Sequence, residues 1–191
     1  MRLSRGFRLG IFVTCLLVID QVSKILVKTN MQIGESIHVF GDWFQILYIE
    51  NNGMAFGMQF GGSIGKLMLT LLRVVLVVII TIYIRKLLKK PETPAGVLFG
   101  LAAILCGALG NIIDCLFYGM IFDYAPLFYG RVVDMLYFPL IDTVLPAGFP
   151  IWGGQHIIFF RPIFNIADSC ITCGAIYLIL FKWKFFSKAS Q

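Results

Sequence analysis

Four stretches of the chain, about 9–28, 64–84, 95–117 and 164–183, are each apolar over the roughly 20 residues that a helix needs to cross about 30 Å of hydrocarbon. This constrains the fold more than any other feature. In lipid, every backbone N–H and C=O must find its partner inside the protein, and a helix satisfies them within one segment. Composition agrees. With 59% hydrophobic and 14% charged residues and a mean hydropathy of +0.86, the 191 residues offer too little polar surface for a soluble domain. The expectation is an all-α membrane protein with four transmembrane helices, built as a single polytopic domain over 1–191.

The basic residues give an expected orientation. Arg2, Arg5 and Arg8 precede the first span, Arg85, Lys86, Lys89 and Lys90 fill the short connection after the second, and Lys182, Lys184 and Lys188 follow the fourth. The positive-inside rule makes that side cytoplasmic, with both termini inside and 29–63 and 118–163 outside. Topology therefore accounts for the net charge of +6, and no nucleic-acid partner is implied. The basic start followed by Leu9–Ile19 imitates a signal peptide. No small-x-small cleavage site follows, so it reads as a retained first helix. Phe12-Val13-Thr14-Cys15 is a poor lipobox.

Outside the spans, 34–57 alternates in a strand-like way between the turn signals Gly34 and Gly41-Asp42, which predicts a small extracytoplasmic β-sheet at the membrane surface. The segment 118–163 is rich in Phe, Tyr, Pro and Gly and reads as a partly interfacial loop, too broken for another span.

Chemistry is sought among the acids, because an ionisable residue inside a membrane is costly, roughly 2.5–3.5 kcal/mol at a helix centre. Asp20, Asp114, Asp134 and Asp168 lie in or close to spans and gather toward one side. Asn165 and Asp168 are three apart, which on a helix is one face. Asp134 and Asp168 have ample chain between them to meet. Two close carboxylates share one proton, giving a general base and a general acid that activate water without metal, Ser or Cys.

The motifs then converge. Asp20-Gln21-x-x-Lys24, Asn51-Asn52-Gly53-Met54-Ala55-Phe56, Gly110-Asn111-x-x-Asp114, Val132-Val133-Asp134 and Phe164-Asn165-x-Ala167-Asp168 occur in order on a four-span frame. Together they resemble the lipoprotein signal peptidase (signal peptidase II) family over about 9–185. The resemblance implies an aspartic endopeptidase that cleaves diacylglyceryl-modified prolipoproteins before the lipidated cysteine, at the outer face of the bacterial cytoplasmic membrane. It implies Asp134 and Asp168 as the catalytic pair, with Asp20, Lys24, Asn51, Asn111, Asp114 and Asn165 in support. It also implies membrane lipids as surroundings, inhibition by globomycin-type peptides, no cofactor or metal, and a monomer.

Several smaller readings accompany it. The amides of Asn111 and Asn165 are expected to orient the scissile peptide or stabilise charge on its carbonyl oxygen. Lys24 is expected to pair with Asp20 at (i, i+4). The pattern departs from the family after Gly-Asn-x-x-Asp, where Arg is replaced by Cys115, and Arg131 is the expected substitute. Asp123 and Asp142 match no motif and read as solvated loop acids.

Two competing patterns are weaker. Gly61-Gly62-Ser63-Ile64-Gly65 formally matches a serine nucleophile elbow but opens a membrane helix instead of following a strand. Cys170-x-x-Cys173 on an apolar helix reads as small packing residues. The alternative of another class is a small transporter or scaffold using Asp20, Lys24 and Asp168 as an ion path. The related half-repeats that would favour it are not found.

Overall fold

The computed structural model describes residues 3–52, 62–144, 146–148, 150 and 153–188. Four helices in it are long and apolar enough to cross a membrane. They are α1 (Arg5–Asn30), α2 (Gly62–Leu88), the third span Ala95–Ile121, and α5 (Ile166–Lys188). The third span is α3 (Ala95–Ile113), a π-helical turn Asp114–Tyr118, and the short α4 (Gly119–Ile121). The helices run a little beyond their expected bounds, except that the third span starts at 95 as expected and α5 starts two residues late, because Phe164 belongs to a strand.

Contacts divide the chain into two compact units. The first comprises 1–23, 51–132 and 166–191 and is helical. Its α3 is the interior helix, while α1, α2 and α5 leave most of their apolar surface open, as lipid-facing helices do. Leu9, Ile84, Leu87, Val97, Leu98, Leu101, Ala102 and Leu178 form its core. Small residues bring α3 and α5 together. A Cβ at Gly107 would overlap the Ala167 carbonyl oxygen, and one at Gly174 would come within 2.8 Å of the Gly100 oxygen. Close backbone approach of this kind is how membrane helices gain dispersion contact when lipid offers no hydrophobic drive. At the basic end, the Arg5 guanidinium donates to the carbonyls of Lys90, Pro91 and Thr93, tying the start of α1 to the α2–α3 connection.

The second unit comprises 24–50 and 133–165. It carries a four-stranded sheet in the order β1 (Ser36–Phe40), β2 (Phe44–Asn51), β3 (Val132–Tyr137) and β6 (Ile163–Phe164), in which β1 runs antiparallel to β2 through the hairpin turn at Gly41 (φ 51°) and β3 antiparallel to β6. A separate hairpin pairs β4 (Ile141–Val144) with β5 (His156–Phe159). Phe138 stacks on Phe44 at 4.6 Å and on Phe164 at 5.8 Å between ring centroids, so aromatic faces link β2 with β6. Lys28, in the last turn of α1, makes an ion pair with Glu50, whose carboxylate also accepts from the Tyr48 hydroxyl at 2.8 Å.

The sheet in 34–52 is as expected, and residues 53–57 of that stretch lie outside the described residues. The reading of 118–163 as loop is corrected, since it supplies four strands. Its prolines border these strands without interrupting them. Pro139 stands between β3 and β4, and Pro162 directly before β6. Pro lacks an N–H for the ladder but is compatible with strand ends.

Candidate active site

In the helical unit, the polar residues converge on the first turn of α5. Asp168 sits in that turn, where the unsatisfied backbone N–H groups favour a carboxylate. Its Oδ1 accepts from the Asn111 side-chain amide at 2.8 Å. One residue earlier, the Ala167 N–H donates to Asp20 Oδ1 at 2.8 Å, so α1 supplies the cap that opens α5.

Gln21 binds this cap to the π-helical turn. Its amide nitrogen donates to Asp20 Oδ2 at 3.0 Å, to the Gly110 carbonyl at 3.1 Å and to Asp114 Oδ1 at 3.0 Å. Its oxygen accepts from the Tyr118 hydroxyl at 3.3 Å. Asp20 and Asp114 are 1% and 0% exposed, and such acids persist in a low-dielectric interior only when hydrogen bonds replace their water. Gly110 is required by this geometry, because a Cβ there would lie 2.5 Å from Asp20 Oδ2. The π-helical turn starts at Asp114, and one-turn π insertions of this sort recur at functional sites.

In the sheet unit, Asp134 lies on β3 and is 3% exposed. The fully buried Asn165 donates its amide to Asp134 Oδ1 at 2.7 Å and to the Val133 carbonyl at 3.3 Å. Lys24 is fully buried on α1, and Asn51 ends β2 half-buried.

Several expectations change. Asp134 is on a strand, outside any span. Asn165 precedes α5, so it does not share a helical face with Asp168; pairing of Phe164 with Leu136 delays the helix start to Ile166. Both amides face carboxylates here, so their visible work is holding the acids. Of the Asn51–Phe56 motif, only Asn51 and Asn52 fall within the described residues. Ser63 is an exposed residue in the first turn of α2, and Gly61 lies outside the described residues. Asp123 is exposed, and Asp142 falls in β4 where a loop was expected.

Arg131, the expected substitute, is exposed, with its guanidinium 5.4 Å from the Tyr124 ring. Arg73 of α2 instead donates to the Cys115 sulfur at 3.3 Å. Lys66, two turns earlier, donates to the Tyr129 carbonyl at 2.7 Å and to Asn52 Oδ1 at 3.1 Å. Sequence reasoning gave neither cation nor Gln21 a role. The available signal was an Arg in mid-span, which has the same cost in lipid that singled out the acids.

Fold and site together define a multi-pass membrane protein built around buried carboxylates held by side-chain amides. Comparison with known families narrows this. Residues 12–184 match the family described as signal peptidase (SPase) II, and the chain belongs to that family. A lipoprotein signal peptidase of Porphyromonas gingivalis is 45% identical, over 94% of this chain and 84% of the relative. One of Amoebophilus asiaticus is 41% identical, over 86% and 73%. A solved bacterial membrane enzyme superposes with a TM-score of 0.65 at 26% identity, covering 95% of this chain and 90% of its own.

Proposed function

We propose that this chain removes signal peptides from prolipoproteins by an aspartic mechanism in which Asp134 and Asp168 act as a pair. The observation that carries the reading is a symmetry of treatment. Each aspartate receives the amide N–H of a buried asparagine, Asn165 on Asp134 and Asn111 on Asp168. Family membership disfavours transport, and the order of the motifs supports reading these two acids as the catalytic pair.

In the reaction, one carboxylate takes a proton from water as the oxygen attacks the scissile carbonyl carbon. The other, protonated, gives its proton to the leaving amine as the C–N bond breaks. Each asparagine fixes one oxygen of its aspartate, which sets the orientation of the carboxylate toward water and substrate. The substrate class is a diacylglyceryl-modified prolipoprotein cut before the lipidated cysteine, its acyl chains remaining in the bilayer. We place both termini in the cytoplasm and the site at the outer face of the bacterial inner membrane, on the distribution of Lys and Arg. A globomycin-type peptide is the expected inhibitor.

The test is a gel-shift assay with a diacylglyceryl prolipoprotein in detergent. Cleavage by wild type, blocked by globomycin and absent in Asp134→Asn and Asp168→Asn, is expected. Retained cleavage by either folded variant would remove that residue from the pair.

A further inference from the structure

We propose that Arg73 is a positioning residue for Asp168, supplying from α2 the guanidinium that the family pattern carries at the position of Cys115. Four observations in the helical unit lead there.

The first is the cost of keeping Arg73. Helix α2 exposes Leu71, Leu72, Val75, Leu76, Val78 and Ile79, the surface expected toward lipid. An Arg in such a helix opposes insertion by roughly 2.5–3.5 kcal/mol unless it turns inward to a partner. Arg73 does turn inward. It is half-buried, on the same side as the buried Thr70 and the half-buried Lys66 at helical spacing.

The second is where the guanidinium arrives. Its Nη1 lies 3.3 Å from Cys115 Sγ, on the π-helical turn and next in the chain to Asp114. A thiol is a weak acceptor, so this contact alone does not account for burying a guanidinium. A cation beside a turn that holds a fully buried carboxylate does, because charges in a low-dielectric interior are retained when opposite charges face them.

The third is the route onward. Asp114 Oδ1 accepts from Gln21, Gln21 also donates to Asp20, and Asp20 caps the Ala167 N–H at 2.8 Å, one residue before Asp168. Two buried carboxylates sharing one amide donor are electrostatically strained when both are ionised. A guanidinium at the far end offsets that repulsion and steadies the cap that Asp20 makes on the Ala167 N–H. Asn111, four residues before Cys115 on the same span, completes the loop by holding Asp168 itself.

The fourth is the sequence exchange. Where the family pattern has Gly-Asn-x-x-Asp-Arg, this chain has Cys115, and a guanidinium from another helix lies against that residue. Arg73 touches no reacting atom in this scheme; it acts by keeping the N-terminus of α5, and so Asp168, in position.

The inference rests on the aspartic reading only in naming Asp168 as the group positioned. The experiment measures kcat and KM on a diacylglyceryl prolipoprotein for wild type, Arg73→Ala, Arg73→Lys and the double variant Arg73→Ala/Cys115→Arg, each checked by thermal melting in detergent. Arg73→Ala is expected to lower kcat about 100-fold with KM within about twofold, the signature of displaced catalytic geometry. Arg73→Lys, which keeps the charge, and the double variant, which returns it to the family's position, are expected to recover kcat to within about tenfold of wild type.

Wild-type kcat in Arg73→Ala overturns the proposal, as does a loss confined to KM, which would mean substrate binding. Equal inactivity of folded Arg73→Lys and folded double variant overturns it as well. Should one rescue variant fail to fold, the other decides alone. Asp134→Asn and Asp168→Asn run in the same series separate the two readings: an active Asp168→Asn beside an impaired Arg73→Ala refutes the pair and leaves the Arg73 network standing.

Discussion

The helical unit and the sheet unit solve one problem with different materials. Each holds a carboxylate by the side-chain amide of an asparagine, Asp168 half-buried in the one and Asp134 buried in the other. The helical unit brings the amide of Asn111 to Asp168 across 57 residues of chain, on two helices pressed together by glycine. The sheet unit brings Asn165 to Asp134 across 31 residues, on adjoining strand ends stiffened by stacked phenylalanines. The helical unit also buries two further acids, Asp20 and Asp114, and bridges them through Gln21. The sheet unit balances its acid Glu50 with Lys28. A small carboxylate–amide element is thus portable between scaffolds, provided that neighbouring backbone is rigid enough to fix both rotamers.

The largest test of that parity is removal of the acids themselves. Asp134→Asn and Asp168→Asn should each lose roughly four orders of magnitude in kcat, measured by gel shift, with the fold intact. A large inequality between them would break the parallel. Next comes charge balance in the sheet unit. Lys28→Met should cost about 3–5 kcal/mol in detergent unfolding, because it leaves Glu50 buried without its cation, and Lys28→Met/Glu50→Leu should cost much less. Equal losses in single and double variants would show that the pair acts by packing alone.

The amides come third. Asn111→Ala and Asn165→Ala should each lower kcat about 100-fold and cost about 1–3 kcal/mol in thermal melting, because each strips a carboxylate of its amide donor. A severe effect of one only would mean that one aspartate is held by other means. Fourth, Gly107→Ala should destabilise the helical unit by about 1–3 kcal/mol through overlap with the Ala167 carbonyl, read by thermal melting. The smallest effect is expected at Asp123→Asn, within about twofold of wild-type kcat, since surface substitutions away from such networks change little.

How much of this was legible beforehand follows from the physics of each signal. Membrane-length helices announce themselves because lipid imposes one requirement on about twenty consecutive residues. The buried acids were legible for the same reason, as exceptions to that requirement. Strands β3 to β6 were not, because two to six residues in a stretch punctuated by prolines give too short a period to separate strand from loop. The π-helical turn leaves no mark in hydropathy, as it changes register and not composition. Gln21 was quoted within a motif yet given no work, since an uncharged amide carries no visible penalty until its partners are known. Arg73 was overlooked although its cost was visible, which shows that basic residues in a span merit the scrutiny given to acidic ones.

The bond from Ala167 N–H to Asp20 also sets an order of events during biogenesis. Its two ends are 147 residues apart, so α1 is synthesised well before the backbone it caps. At roughly 5–20 residues per second, Asp20 waits on the order of ten seconds before α5 exists to meet it. During that interval the first helix holds an acid that lipid disfavours. The arrival of α5 both relieves that cost and delivers Asp168, so insertion of the last helix is coupled to completion of the centre. On the proposed mechanism, a nascent chain without α5 lacks Asp168 and is inert, so proteolytic activity begins only after that helix has joined α1 and α3.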